Sequence, residues 1–353
     1  MDNDFSFFPY ESANSIIDFK KGVKNIYDHI IDARSKEIFG YRLMLSLTES
    51  PIYARKLIGS TAAGKHLYNT IKKKRIFLYG AGKRGCRFKA MFPELQIVAY
   101  IDKYRTGKIN DLPIMKLDGL QNDEDVLILI TNIANVNEIE SDIKEKGNWQ
   151  ILKLNDYEES SMKEIYYDSR CIKYFSEKDG VFVDAGSFDG EDCLRFINSS
   201  LCHEHEIYAF EPDGINFQNC KMKLQGIDNV KIFQMGLSTT EGYLNFIEND
   251  GEAARFSEEG NSSIEVASLD KFVGSKKVAY IKMDIEGKEK DAILGAKNIL
   301  KRDEPNMMIS LYHKKEDIVD IPQSILDVNS RYKFVIEHYG VGSTNDTVLY
   351  AFT

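Results

Sequence analysis

The sequence predicts an α/β chain with two parallel-sheet domains behind a helical N-terminal segment. Short runs of apolar residues recur along residues 73–353 and alternate with stretches of helical pattern. Continuous apolar runs are typical of parallel strands that are buried on both faces, and their alternation with helices predicts successive strand–helix–strand units. A chain of 353 residues is also long enough for two domains of ordinary size.

Composition and charge exclude several classes of protein. The chain is 43% hydrophobic and 29% charged, with a net charge of −9. Because binders of nucleic acid or anionic membranes usually carry a basic face, we expect neither partner. No run approaches the roughly 18 apolar residues of a membrane span, and the acidic, polar start does not resemble a signal peptide. The five cysteines include no CxxC pair, so we expect reduced thiols and a cytoplasmic protein.

Residues 1–72 have the pattern of helices. Apolar residues such as Ile16, Val23 and Ile30 recur at roughly helical spacing. We interpret the segment as a helical arm or cap that packs against the rest of the chain or joins copies of it into a homo-oligomer.

Residues 73–157 predict a small Rossmann-like domain. Its apolar runs are RIFLYG (75–80), IVAYID (97–102), VLILIT (126–131) and WQILKL (149–154). Glycines Gly80, Gly82 and Gly85 lie between the first run and a helix, a setting that favours phosphate binding at a helix N-terminus. Asp102 closes the next strand, where an acid that binds ribose would lie. Three interpretations remain open: a nucleotide or nucleotide-sugar pocket, an NAD pocket, and a structural domain without a ligand.

Residues 158–353 predict a second, larger sheet. Five strands are expected at VFVDAG (181–186), EIYAFEP (206–212), VKIFQMG (230–236), KVAYIKMDIEG (277–287) and NMMISLYH (306–313). Two further runs, KFVIEH (333–338) and TVLYAFT (347–353), are joined by a glycine-containing segment that favours an antiparallel hairpin at the sheet edge. The prediction is a Rossmann-like sheet of seven strands.

Two acids at successive strand ends suggest a cofactor. Asp184 ends the first strand of this sheet, and a turn containing Gly186 and Gly190 follows it. Glycine lets the backbone turn sharply and lets a ligand approach closely. Glu211 ends the next strand, where a carboxylate is placed to accept hydrogen bonds from both ribose hydroxyls. An acid for a charged amine and an acid for a ribose together imply a nucleoside that carries an amino acid, S-adenosylmethionine.

The run YIKMDIEGKEKDAILGA (280–296) carries the candidate catalytic residues. Asp284 lies near the carboxyl end of a strand, where ligands bind in open α/β sheets, and Glu286 lies in the turn that follows. Lys282 shares a strand face with Asp284, so it is either catalytic or the ion-pair partner of Asp284. His313 ends the following strand and is a candidate proton acceptor or substrate contact.

The order of these motifs resembles the FkbM-type family of S-adenosylmethionine-dependent methyltransferases over roughly residues 175–353. The motifs are DAGSFDGE, FEPD, SLDKFV, KMDIEGKEKDAILGA and LYH. The resemblance implies that Glu211 holds the ribose and that Asp284 and Glu286 lie near the transferring methyl group. It also implies a methionine end and an adenine end of the cofactor site, the former lined by Asp184, Gly186, Ser187 and Gly190, the latter by the backbone around Gly236 and Leu237.

The resulting hypothesis is an O-methyltransferase that acts on a hydroxyl of a sugar or glycan precursor. Either Asp284 or His313 would serve as the general base. No metal site is expected, because the ligand-like run CHEHE (202–206) has consecutive side chains that cannot all face one ion. The competing hypotheses are an NAD- or nucleotide-sugar-dependent oxidoreductase or epimerase, and a non-catalytic nucleotide-sugar binding protein.

Overall fold

The computed structural model describes residues 13–109, 111–121, 123–202, 204–247, 255–256, 260 and 262–353. Residues 1–12 of the predicted helical segment and His203 of the CHEHE run lie outside these ranges. The chain forms two compact units. We call them the large unit (residues up to Phe39, Tyr166–Glu337 and Val348–Thr353) and the glycine-loop unit (Gly40–Ile165 and His338–Thr347).

Strands and helices alternate along most of the described chain. In chain order the strands are β1 (Arg75–Tyr79), β2 (Ile97–Ile101), β3 (Gly107–Ile109), β4 (Leu112–Met115), β5 (Val126–Ile130), β6 (Gln150–Lys153), β7 (Val181–Ala185), β8 (Ile207–Phe210), β9 (Val230–Phe233), β10 (Gly236–Leu237), β11 (Gly242–Ile247), β12 (Arg255–Phe256), β13 (Ser262–Ala267), β14 (Val278–Met283), β15 (Asn306–Ser310), β16 (Lys333–His338) and β17 (Thr347–Phe352).

The helices occupy the N-terminal segment and the connections between strands. They are α1 (Ala13–His29), α2 (Ala33–Thr48), α3 (Pro51–Ile58), α4 (Ala62–Ile71), α5 (Lys83–Met91), α6 (Val136–Lys146), α7 (Leu154–Met162), α8 (Ser169–Ile172), α9 (Glu191–Ile197), α10 (Gly214–Lys223), α11 (Leu269–Val273), α12 (Glu289–Leu294), α13 (Lys297–Arg302) and α14 (Asp317–Val328). Among the helices described, none is long and apolar enough to cross a membrane.

The sheet of the large unit has the order β16-β17-β15-β14-β7-β8-β9. Strands β15, β14, β7, β8 and β9 run parallel, and β17 is antiparallel to β15. The predicted seven-stranded sheet with an antiparallel edge is therefore confirmed. After β9 the chain returns to the other side of β7, so the strand order reverses between β7 and β14. In open α/β sheets, ligands bind beyond the carboxyl ends of the strands at such a point.

The segment between β9 and β14 adds a small second sheet, in the order β10-β13-β11-β12. β10 pairs with β13 in parallel, and β11 is antiparallel to β13. This sheet fixes the backbone of Gly236 and Leu237, both of which are buried.

The glycine-loop unit has a six-stranded sheet in the order β3-β4-β2-β1-β5-β6. β1 lies between β2 and β5 and is parallel to both, which confirms the predicted strand–helix–strand domain. β3 and β4 are an antiparallel pair that the sequence analysis missed. Both are short and partly exposed, and Pro113 interrupts β4, so neither has the apolar run of a buried strand.

The helices of residues 13–72 are divided between the two units, with those up to Phe39 in the large unit and those from Gly40 onwards in the glycine-loop unit. In the large unit, Ile31 N donates to Phe334 O at 3.0 Å, and Arg34 Nε lies 2.7 Å from a Glu337 carboxylate oxygen. Helices α3 and α4 instead pack in the core of the glycine-loop unit, to which they contribute Ile58, Leu67 and Ile71.

Candidate active site

The predicted site residues of the large unit lie at the carboxyl ends of its central parallel strands. Asp184 is the penultimate residue of β7, Glu211 follows β8, Asp284 follows β14, and His313 follows β15. Adjacent parallel strands end at the same edge of a sheet, so these four residues share one edge.

The turn after β7 is packed against the end of β14. Gly186 has a φ of +77°, and a Cβ at this position would overlap the carbonyl oxygen of Asp284. Only glycine satisfies both conditions without a shift of the backbone. Gly190 also has a positive φ, of +87°, where a side chain would press on Leu224. The glycines predicted from the sequence therefore have a structural reason that is independent of a ligand.

Asp184 is fully buried and paired with a lysine of the neighbouring strand. Lys282 Nζ lies 3.2 Å from Asp184 and 3.1 Å from Asp192, and it donates to the carbonyl of Gly186 at 2.8 Å. Burial opposes the charge of Lys282, but the two carboxylates outweigh it and raise the pKa of the amine. The Cys193 thiol donates to Asp184 at 3.1 Å. This cluster ties β14 to the turn after β7. The salt-bridge partners of Lys282 are thus Asp184 and Asp192, whereas the sequence suggested Asp284.

Ser187 belongs to the same turn. Its side chain is buried, and its hydroxyl donates to the carbonyl of Asp184 at 3.0 Å. The backbone N–H groups of Gly186 and Ser187 both donate to Phe210 O, at 2.9 and 3.0 Å. These bonds hold the turn beside the end of β8, next to Glu211.

Glu211 is held in one orientation by backbone donors. Phe188 N donates to Oε2 at 2.8 Å and Asp213 N donates to Oε1 at 2.9 Å. The residue is only 5% exposed, and this burial outweighs the two hydrogen bonds and raises the pKa of Glu211 to about 7. A carboxylate oxygen accepts more than one hydrogen bond, so each oxygen retains capacity for a further donor. Two such acceptor oxygens fit the two hydroxyl donors of a vicinal diol, such as the one in ribose.

Asp284 accepts hydrogen bonds from two tyrosines. Tyr166 Oη donates at 2.8 Å and Tyr312 Oη at 3.2 Å, and His313 Nε2 lies 3.2 Å away. Burial opposes ionisation of Asp284, but His313, Lys282 and the tyrosine outweigh it and hold the pKa of the carboxyl well below its usual range. The side chain of Asp284 remains 27% exposed. Sequence reasoning missed Tyr166, which lies 118 residues earlier in a polar segment without a motif.

His313 lies among three carboxylates. Its Nε2 is 3.2 Å from Asp284 and 3.6 Å from Glu286, and its Nδ1 is 2.9 Å from Glu289. Burial opposes protonation of the ring, but Asp284 and Glu289 outweigh it and raise the pKa of His313 to about 11. Glu289 is fully buried, and its Oε1 also accepts from Ile285 N at 2.9 Å. The sequence analysis did not single out Glu289, although it is the third acid of the motif DIEGKE.

Glu286 reaches this group because of an unusual backbone conformation. Its φ is +52°, and Gly287 follows with a φ of +90°. Left-handed conformations are uncommon for residues other than glycine and are found where the surrounding structure enforces them. Helix α12 begins three residues later, with Lys288 at its N-cap position, so Glu286 is not the helix cap. The turn instead directs a carboxylate that is 36% exposed towards His313.

The glycine-rich turn of the glycine-loop unit lies between β1 and α5, as expected. Gly80 has a φ of +113°, and a Cβ at Gly85 would overlap the carbonyl oxygen of Gly80, so both glycines are needed for packing. A Cβ at Gly82 would meet no atom within 4 Å. This third glycine precedes α5 and faces open space.

Asp102 is engaged by backbone groups of two loops. Its Oδ1 accepts from Tyr104 N and Arg105 N, both at 2.9 Å, and its Oδ2 accepts from Ala81 N at 3.2 Å. Burial opposes the charge, but these three donors outweigh it and lower the pKa of Asp102. The acid predicted to bind ribose thus also fixes the glycine-rich turn.

Known proteins resemble the large unit. Residues 184–335 match the family model described as methyltransferase FkbM domain. The 2-O-methyltransferase NoeI of Sinorhizobium fredii (strain NBRC 101917 / NGR234) is 25% identical over 157 residues, which cover 37% of this chain. The match spans 63% of the length of that protein.

Solved structures of methyltransferases also align with this chain. Methyltransferase FkbM from Methylobacillus flagellatus is 17% identical with a TM-score of 0.49, covering 91% of this chain and 99% of that one. Fibrillarin from Aeropyrum pernix, solved with bound S-adenosyl-L-methionine, is 8% identical with a TM-score of 0.33, covering 50% of this chain and 67% of that one.

The matched range begins at Asp184, near the end of β7, and runs into β16, so it contains the acids of the large unit described above and His313. It confirms the family resemblance and, with it, the predicted cofactor. Residues 184–335 of this chain resemble a methyltransferase FkbM domain, and this match supports S-adenosylmethionine as the methyl donor.

Proposed function

We propose that this cytoplasmic chain is an O-methyltransferase that acts on a hydroxyl of a sugar or glycan precursor. The observation that carries the proposal is the placement of Glu211 and Asp284. Both follow strands that flank β7, at the point where the strand order reverses. The choice of oxygen as the methyl acceptor is supported by the relative NoeI, which is named a 2-O-methyltransferase.

The cofactor would be held mainly by Glu211. Its carboxylate is fixed by two backbone donors and keeps acceptor capacity for both ribose hydroxyls. The backbone of Gly236 and Leu237 would lie beside the adenine. The charge of Asp184 is already neutralised by Lys282. Within this proposal Asp184 therefore shapes the turn at Gly186. It would bind the cofactor amine only if Lys282 moved away from it.

The reaction needs an acceptor oxygen in line with a methyl group and a group that takes the hydroxyl proton. The cofactor supplies an electrophilic methyl on a sulfonium, which departs as a thioether when the C–S bond breaks and the new C–O bond forms. Positioning of the reactants contributes at best about 7–11 kcal/mol, and a general base contributes about 10²–10⁴-fold. Asp284 is the better placed base, because 27% of its side chain is exposed whereas 7% of the His313 side chain is.

The test is methyl transfer from labelled S-adenosylmethionine to a panel of sugars, nucleotide sugars and lipid-linked glycans, with mass spectrometry of the products. An Asp284→Asn variant should lose about 10²–10⁴-fold in turnover, while its affinity for S-adenosylhomocysteine changes little. Transfer to nitrogen or carbon acceptors alone would reject the O-methyltransferase assignment. If the Asp284→Asn variant turns over at the wild-type rate, the assignment of Asp284 as the general base is wrong.

A second site is proposed in the glycine-loop unit, for a nucleotide or for the nucleotide carrier of the acceptor sugar. The supporting observation is the open space at Gly82 beside the N-terminus of α5. A thermal-shift comparison of nucleotide sugars, NAD and S-adenosylhomocysteine tests it. Stabilisation by NAD alone, together with hydride transfer to or from NAD, would favour the competing oxidoreductase or epimerase. Stabilisation by nucleotide sugars without methyl transfer would favour a binding protein.

A further inference from the structure

His313 lies between two acids of the large unit, one on each side of its ring. Nε2 is 3.2 Å from Asp284 Oδ1, and Nδ1 is 2.9 Å from Glu289 Oε1. An imidazole carries a proton on both nitrogens only in its charged form. Carboxylates that face both nitrogens therefore favour the imidazolium, in agreement with the pKa of about 11 given above for His313.

The two contacts of the ring act through charge. Both lie at ion-pair distance, but among the residues that the structure describes, neither ring nitrogen has a partner of good hydrogen-bond geometry. The side chain of His313 is 7% exposed and that of Glu289 is fully buried, so water and salt screen the attraction little. His313 is thus a positive charge held next to Asp284.

The other acids that face His313 strengthen its preference for the charged form. Glu286, in the turn after β14, lies 3.6 Å from Nε2. Asp317, in α14, interacts with the ring through its charge, although burial raises the pKa of this carboxyl to about 7. Acids from the turn, from α12 and from α14 therefore surround one imidazole.

The nearby lysines do not take the place of His313 as the partner of Asp284. Lys282 is already paired with two other carboxylates. Lys314 packs over Gly287, and its charge interacts with Asp317. Burial raises the pKa of Asp284, and His313 is the largest of the influences that lower it, ahead of Lys282 and a tyrosine.

We propose that His313 is a positioning residue whose imidazolium keeps Asp284 ionised and able to take the proton of the acceptor hydroxyl, and that Glu289 holds this imidazolium in place. A protonated carboxyl cannot accept that proton, and a buried carboxylate without a compensating cation tends to become protonated. The role in methyl transfer rests on the proposed function, whereas the ion-pair chain Asp284–His313–Glu289 does not.

The charge of the ring is tested by NMR on the full chain labelled with ¹³C at histidine Cε1. His313 is one of six histidines, and loss of its signal in His313→Gln or His313→Asn identifies it. We expect the wild-type ring to stay protonated up to at least about pH 9. Its pKa should fall by at least about one unit in Glu289→Gln and in Asp284→Asn, and by at least about two units in the double variant.

The same titration measures the effect on Asp284. Coupling between two charged groups is reciprocal, so the fall in the pKa of His313 in Asp284→Asn equals the amount by which the imidazolium lowers the pKa of Asp284. The control is Glu206→Gln, which removes an acid at the opposite end of β8 and should leave the pKa of His313 unchanged.

The role in methyl transfer is tested by kcat against pH at saturating S-adenosylmethionine, where ionisation of Glu211 does not limit cofactor binding. The acid limb of His313→Gln should lie at least about one pH unit above that of the wild type, because burial of Asp284 is no longer offset by the imidazolium. A merely structural loss would lower kcat equally at every pH. Glu206→Gln should keep the wild-type profile, and circular dichroism with binding of S-adenosylhomocysteine shows which variants are folded.

Three results would each overturn the proposal. They are a wild-type ring that titrates near the ordinary pKa of 6.5, a double variant whose His313 has the wild-type pKa, and kcat profiles of His313→Gln and wild type that run parallel. If His313→Gln does not fold, the titrations of Glu289→Gln and Asp284→Asn decide. A wild type that methylates no hydroxyl acceptor would instead reject the proposed function, and the pKa of His313 in the double variant would then decide the ion-pair chain alone.

Discussion

Replacement of Glu211 by glutamine is the sharpest test of how the cofactor is bound. A glutamine has one acceptor oxygen and one NH₂ group, but both carboxylate oxygens of Glu211 accept from backbone donors, Phe188 N and Asp213 N. The NH₂ group of the variant would therefore face an N–H group. Loss of a charged acceptor costs about 1.5–3 kcal/mol, so the affinity for S-adenosylhomocysteine should fall about 10- to 150-fold. Isothermal titration calorimetry measures this directly.

The raised pKa of Glu211 predicts how the affinity for the cofactor depends on pH. Burial raises the pKa of Glu211 from 4.5 to about 7 in the unoccupied site, whereas hydroxyl donors favour the ionised form. Affinity should therefore weaken as the pH falls below about 7, by at most about tenfold per unit, and binding there should release a proton. The Glu211→Gln variant should lack this dependence. Glu206→Gln provides the control, because Glu206 precedes the same strand and pairs with Lys231 and Lys276 at its other end. Wild-type affinity and pH dependence in Glu211→Gln would refute the ribose assignment.

Two further substitutions test the framework of the site. Gly186→Ala should destabilise the chain more than Gly226→Ala, since both glycines have a positive φ but only at Gly186 would the new Cβ overlap backbone atoms. The conformational strain shared by both variants is about 1–3 kcal/mol, so equal urea-unfolding energies would contradict the close packing against Asp284. Lys282→Met leaves Asp184 buried without its cation and should cost about 3–5 kcal/mol, which Asp184→Asn in the same chain should partly restore. A Lys282→Met variant as stable as the wild type would show that the buried pair does not stabilise the turn.

The raised pKa of Glu211 also predicts how the free energy of unfolding depends on pH. Its folded pKa is higher than its unfolded pKa, so its contribution to stability is complete below pH 4.5 and is lost as the pH rises through about 7. The difference corresponds to about 3 kcal/mol at most. Glu211→Gln should remove this part of the pH dependence of unfolding, while Glu206→Gln should retain it.

The parts of the fold that the sequence predicts are those with local signals. Strands β7, β8 and β14 are apolar runs, and each ends within one residue of a predicted site residue, Asp184, Glu211 or Asp284. The glycine pattern after β7 also predicts the sharp turn, because Gly186 has the backbone conformation that favours glycine.

Pairings between distant segments could not be predicted from one sequence. Lys282 and Asp284 share a strand face, which suggested that they pair. The register of β14 against β7 instead sets Lys282 opposite Asp184, and cross-strand neighbours interact directly. Likewise, the contact between Ile31 and Phe334 joins segments about three hundred residues apart, so no local pattern shows that the first helices belong to the large unit.

The surroundings of Asp284 and His313 were only partly predictable for the same reason. Asp284 and His313 stand out by their positions at strand ends, but Tyr166 reaches Asp284 from a segment with no motif and with a left-handed φ of +66°. Glu289 lies within a recognisable motif, yet a sequence does not show its burial or its contact with His313 Nδ1.

The most direct test of the central claim is a crystal structure of the chain soaked with S-adenosylhomocysteine. We expect both ribose hydroxyls to lie within hydrogen-bond distance of the Glu211 carboxylate and the sulfur to face Asp284. Ligand density in another part of the chain, or a nucleoside at this edge whose ribose points away from Glu211, would contradict it.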